Sequence, residues 1–151
     1  MNNIRASFKF FIIFVFFSSS IAAEHPSRIL FVGNSYLYFN DSIHNHVKKL
    51  LVEHYEDDDI VTKSSTISGA RLHKHNIEHL LSPENLQLDR QLDLLIMQGG
   101  SFEVKTPETR AKFSETAVKF SNKAHKLGIK TALYMTHAYL ENDKRYEPNL
   151  I

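Results

Sequence analysis

The 151-residue sequence contains no cysteine, which excludes thiol nucleophiles, thiolate metal sites and disulfide staples together. Five glycines and four prolines are too few for a collagen. Neither sign of charge dominates, with 18 basic against 17 acidic residues and a net charge of +1. So even a balance creates no field that would draw nucleic acid or anionic lipid, and recognition has to rest on local chemistry in a pocket. No unbroken apolar run approaches the roughly 20 residues that span a bilayer. What is present is 42% hydrophobic and 23% charged residues, the composition of one ordinary globular domain and not of a disordered chain.

The first 23 residues stand apart. They hold six of the eleven Phe, two basic residues (Arg5 and Lys9) and no acid. A short basic stretch, the apolar run 10–17 and the small residues 18–23 have the layout of a secretory signal peptide. Cleavage after Ala22 places Ser20 and Ala22 at the small-residue positions, and cleavage after Ala23 places Ile21 and Ala23 there. An exported, periplasmic or secreted protein is expected, with residues 24–151 as its single domain. Its charge is 16 basic against 17 acidic, the two basic residues of the leader having been removed from 18.

Along that domain, apolar runs alternate with helical periodicity. Residues 28–32 (RILFV) read as a buried strand that stops at Gly33. Ile43, Val47, Leu50 and Leu51 recur at helical spacing, so a helix is expected over 42–55, with Asn40, Asp41 and Ser42 as candidate caps. Residues 60–67 alternate as a second strand after an acidic turn at 56–59, and the pattern predicts a helix over 71–81. Residues 92–97 form a third apolar strand that ends in Gln98, Gly99 and Gly100. Thr106 and Pro107 open a further helix, the hydroxyl as cap and the proline at the first helical position. That helix carries the stripe Phe113, Ala117, Phe120, Ala124 and Leu127, Gly128 fits its left-handed cap, and 129–135 reads as a fourth strand. Strand alternating with helix implies a parallel sheet covered on both faces, with the loops at the strands' C-terminal ends gathered on one rim.

Four segments follow the four strands and converge on that rim: 33–36, 68–71, 98–101 and 136–139. Within the first, Ser35 sits between a buried strand and a helix, where free backbone amides can stabilise the oxyanion formed when its hydroxyl attacks an ester carbonyl. Asn34 and Ser35 alone also suit a plain strand-to-helix turn. The fuller pattern is ILFVGNSYLYFND, the Gly of STISGARL, then LDLLIMQGGS and TALYMTHAY, in this order. It resembles the SGNH (GDSL-like) hydrolase superfamily, in particular a poorly characterised branch with a GNS first block and a Gln in the third.

The resemblance implies a flavodoxin-like three-layer α/β/α sandwich that hydrolyses acyl esters, carbohydrate O-acetyl groups among them, with no cofactor. Ser35 matches the nucleophile. Its own amide and that of Gly69 match two oxyanion donors, and Gln98, or more weakly Ser101, stands where the superfamily usually has an Asn donor. Asn34 belongs to the same block, and His137 follows the fourth strand as a pocket-lining residue or a substitute base with Glu141 or Asp143 as its only nearby acids. The superfamily's last block, Asp-x-x-His, is not found before Ile151. The expectation is therefore a fold truncated after its fourth strand, whose complete form takes that pair from a further segment. Asp41 and His44 do make an Asp-x-x-His string, but His44 lies roughly 10 Å or more from Ser35 along its helix, so the pair is set aside as the catalytic one.

Two other readings remain open on the sequence. Without Asp and His, the chain is a non-catalytic binding module for carbohydrate or acyl groups, or a decayed gene product. His73, His75 and His79 form a cluster, with His75 and His79 at helical i, i+4 spacing, and His44 and His46 add another pair, which also suggests a metal-binding protein. No carboxylate motif accompanies these histidines, and no metal is assigned. Lys119, Lys123 and Lys126 read as the solvated face of their helix.

Overall fold

The computed structural model describes residues 25–136; the expected signal peptide and His137, Glu141 and Asp143 lie outside them. Four parallel strands form one sheet: β1 (Arg28–Gly33), β2 (Val61–Thr66), β3 (Leu94–Gln98) and β4 (Lys130–Tyr134). Their order is β2-β1-β3-β4. Two helices follow β1, a single turn α1 (Ser35–Tyr38) and α2 (Ile43–Tyr55). A one-turn α3 (Ile77–Leu80) lies between β2 and β3, and the 20-residue α4 (Pro107–Lys126) lies between β3 and β4.

Alternation along β1 builds the three layers. Ile29 and Phe31 face α1 and α2 and pack with Leu37, Ile43, Val47 and Leu51. Leu30 and Val32 face the other way and belong to one cluster with Leu72, Ile77 and Leu80 and with Phe120 and Ala124 of α4. A strand covered on both faces has no use for polar residues in its interior, which is why ILFV, after Arg28, reads as a continuous apolar run. The first crossover leads from β1 to β2 over one face, and the later ones lead the opposite way over the other face. Crossovers of one handedness require that change of face when the direction reverses. The result is the α/β class expected from the sequence, in the flavodoxin-like arrangement.

Several elements depart from the sequence reading. The helix expected over 71–81 is instead a 3-10 turn at Leu72–Lys74 followed by α3. Extended backbone at His75 and Asn76 breaks it, and the Asn76 side chain accepts from the His79 amide at 3.2 Å to start the second turn. Leu50 and Leu127 are 69% and 49% exposed and belong to neither core. Beyond the third strand an unforeseen 3-10 turn spans Ser101–Val104. Of the proposed α2 caps, Ser42 holds the N-cap position without a side-chain capping bond, its hydroxyl donating to the Tyr38 carbonyl at 3.4 Å, and Asn40, Asp41 and Ser42 all have positive φ.

At α4 the sequence reading stands. Thr106 Oγ1 accepts from the Thr109 amide at 3.3 Å, and Thr109 Oγ1 accepts from the Thr106 amide at 3.0 Å. At its other end the Gly128 amide donates to the His125 carbonyl and the Ile129 amide to that of Ala124, both at 3.0 Å, with Gly128 at φ 77°. Lys119 and Lys126 are exposed, while Lys123 is drawn to Glu78 of α3.

The end of the sheet remote from the candidate site is fastened by Arg28, whose side chain is 2% exposed. Its Nε and Nη2 donate to the two carboxylate oxygens of Asp89 at 2.6 and 2.8 Å, and Nη2 also reaches Asp59 at 3.0 Å. The bidentate pair holds the Asp89 carboxyl at about 2. Among the described residues, no helix is long and apolar enough to cross a membrane.

Candidate active site at the switch point of the sheet

The sheet order makes a crevice. Chain leaving β1 turns toward β2 over one face, and chain leaving β3 turns toward β4 over the other, so their loops diverge at the C-terminal ends. Ligands of open α/β sheets bind at such a switch point. Ser35 follows β1 there and Gln98 ends β3 beside it.

Ser35 is half-buried at the first position of α1, with Asn34 as N-cap. Asn34 Oδ1 accepts from the Tyr36 amide at 3.2 Å, and the Asn34 carbonyl accepts from the Leu37 amide at 2.9 Å. Because α1 is one turn long, its dipole is small, and what the turn offers is the Ser35 amide itself. Gly33 lets the turn close. A Cβ there would stand 2.6 Å from Gln98 Oε1 and 2.8 Å from Leu37 Cδ1, well inside van der Waals contact.

Gly69 lies in the loop after β2 at φ 64°, a left-handed conformation costly for other residues. The Ile67 amide donates to the Gly33 carbonyl and the Ala70 amide to the Ile67 carbonyl, each at 3.1 Å. This loop is therefore tied to the Ser35 turn through the backbone.

Three side chains complete a closed circuit of hydrogen bonds through the three loops. Asn34 Nδ2 donates to the Ala70 carbonyl at 3.0 Å. Gln98, 1% exposed, accepts from the Asn34 amide at 3.0 Å and donates through Nε2 to the Gly99 carbonyl. Glu103, 2% exposed, accepts from the Gly100 amide at 2.6 Å and from the Leu72 amide at 3.1 Å. The backbone donor at Asn34 fixes which end of the Gln98 amide is oxygen. Gln98 is thus chiefly a fastener, with only the second hydrogen of its Nε2 left for the oxyanion role expected of it. Ser101 is half-buried in the following 3-10 turn.

Sequence reasoning missed Glu103 and misplaced His75. A Glu three residues past a loop residue is the reach-back half of a capping box, and that spacing was the available signal for Glu103. His75 is buried behind the turn, not on a shared helix face with the exposed His79. Its Nε2 has no hydrogen-bond partner. Burial pushes its pKa below 6.5, against the opposing pull of the Gly33 carbonyl and the Glu103 charge.

The remaining histidines are dispersed. His44 packs 6.4 Å from the Phe31 ring, and its partner in the Asp-x-x-His string, Asp41, is 3.7 Å from Lys49. Among the described residues, no three His, Asp or Glu side chains are grouped as a metal ion would require. His46 donates through Nε2 to the Asn40 carbonyl at 3.0 Å. It shares with Ser35 a groove of about 780 Å³ whose other walls include Phe39, Ile43, Tyr134 and Met135.

Fold and site together define an α/β protein with a serine at the switch point of a parallel sheet. Compared with protein-family models, curated proteins and solved structures, the chain matches none.

Proposed function

We propose that this protein is an exported serine hydrolase of the SGNH type acting on acyl esters, carbohydrate O-acetyl groups among its candidate substrates. The observation that carries the reading is the Ser35 turn at the switch point, with the Gly69 loop bound to it and a groove opening beside it. Ser35 Oγ attacks the ester carbonyl, and the amides of Ser35 and Gly69 receive the oxyanion. The alcohol leaves, and water then releases the acyl group from Ser35. A general base must take the serine proton, a contribution of roughly a hundredfold to ten-thousandfold. The superfamily pattern puts that base after the last strand, outside residues 25–136.

The test is the intact mass of the protein exported by its native host, with and without a fluorophosphonate probe. One adduct on Ser35 supports the hydrolase. Absence of any adduct favours the binding-module reading. Replacement Ser35→Ala is expected to lower ester hydrolysis by roughly a thousandfold or more, and unchanged turnover would reject Ser35 as nucleophile.

A further inference from the structure

We infer that Glu103 is a positioning residue that holds the Gly69 oxyanion donor in place, an inference that rests on the esterase reading above. Each of the three loops at the switch point is joined to its neighbours by one side chain. Asn34 joins the Ser35 turn to the Gly69 loop, and Gln98 joins the end of β3 to the Ser35 turn. Glu103 closes the circuit, because its carboxylate binds Gly100 in the third loop and Leu72 in the second. Gly69 is therefore bracketed. On one side the Ile67 amide is bound to Gly33, and on the other the Leu72 amide is bound to Glu103.

The chemistry of the site requires a carboxylate. Glu103 is buried with no ion-pair partner among the described residues. A buried anion is costly to hold unless hydrogen-bond donors replace its water, and here backbone amides from two loops do so. An apolar residue would satisfy packing alone. Oε2 accepts from both loops, from the Gly100 amide at 2.6 Å and the Leu72 amide at 3.1 Å, and Oε1 accepts from the same Leu72 amide at 3.1 Å, so the Leu72 N–H is shared between the two oxygens. In Glu103→Gln the shape is kept, but with the amide oxygen held at the Oε2 place by Gly100, an NH₂ group stands where Oε1 was and faces the Leu72 amide, donor against donor, so the Leu72 side of the bracket is weakened.

The experiment uses the full-length protein as its native host exports it, with 4-nitrophenyl acetate, and compares wild type, Ser35→Ala, Glu103→Gln and Glu103→Asp. Glu103→Gln is expected to lower kcat about 10- to 100-fold, short of the loss of a whole oxyanion donor. KM should stay within about twofold, because the interaction lost is one made in the transition state. Amide hydrogen exchange at residues 70–72 should accelerate in the same variant while that of α4 does not. Glu103→Asp keeps the charge on a shorter arm and should fall between the two; it carries the comparison if the Gln variant does not fold. Wild-type hydrolysis that depends on Ser35, together with an unchanged kcat in Glu103→Gln, would overturn the role of Glu103 and leave the esterase standing. Hydrolysis that is absent, or indifferent to Ser35→Ala, would overturn the esterase and this role with it.

Discussion

Two buried polar residues behind the Ser35 turn, His75 and Gln98, do different work. Gln98 meets an amide donor with its oxygen and a carbonyl with its nitrogen, so its burial is compensated. His75 has an unpartnered Nε2 and a pKa pushed below 6.5 by burial. The folded state therefore prefers neutral His75 more strongly than the unfolded state does. Its contribution to stability is fully present above about pH 6.5 and is lost as the pH falls from there toward the lowered folded value. His44, also lowered by burial, acts in the same sense. Urea midpoints measured at pH 7.5 and 5.5 should show wild type losing stability on acidification, and His75→Gln losing less. An equal loss in both would show that His75 does not titrate with folding.

Among the elements, α4 is the one whose ends are specified most completely. Thr106 and Thr109 exchange side-chain bonds at its start, Pro107 needs no donor there, and the Gly128 turn closes its end. Thr106→Ala should cost about 1 kcal/mol, measured as a drop in the urea midpoint with unchanged slope, and a change within error would assign capping to Thr109 alone. By contrast, the segment after β2 has apolar residues at helical spacing but only single turns. Leu72, Ile77, Leu80 and Leu81 are all buried, so their spacing was set by packing on the sheet and not by a continuous helix. The same confusion affected α2, where Leu50 fits the period yet points to solvent. Ile43, Val47 and Leu51 already fill the face that meets β1.

Across the whole molecule, β1 and β3 form the inner pair of strands and carry both cores. Leu95 is fully buried at the centre of the larger cluster. Its removal in Leu95→Ala should cost about 2–5 kcal/mol, because close-packed neighbours collapse only partly into the space left. The outer strands are different in character. β2 is half-buried throughout, and Leu133 and Tyr134 of β4 are 58% and 37% exposed among the described residues. Equilibrium unfolding of Leu95→Ala gives the number directly, and a cost under 1 kcal/mol would mean that the core is loosely packed around β3.

The amino-acid sequence by itself determined the α/β class, the four strands, the ends of α4 and the position of Ser35 at the close of a buried strand. These follow from local rules, since an apolar run between turn residues, a capping hydroxyl and a glycine stop act within a few residues of one another. Only the tertiary structure decided that Gln98 fastens the Asn34 turn, that His75 is buried behind it, and that Glu103 joins the loops after β2 and β3. Those contacts span 64 residues between Asn34 and Gln98 and 31 between Leu72 and Glu103. No local pattern encodes them, because they arise when the strand order β2-β1-β3 brings three loop ends to one rim, where each buried amide must find an acceptor.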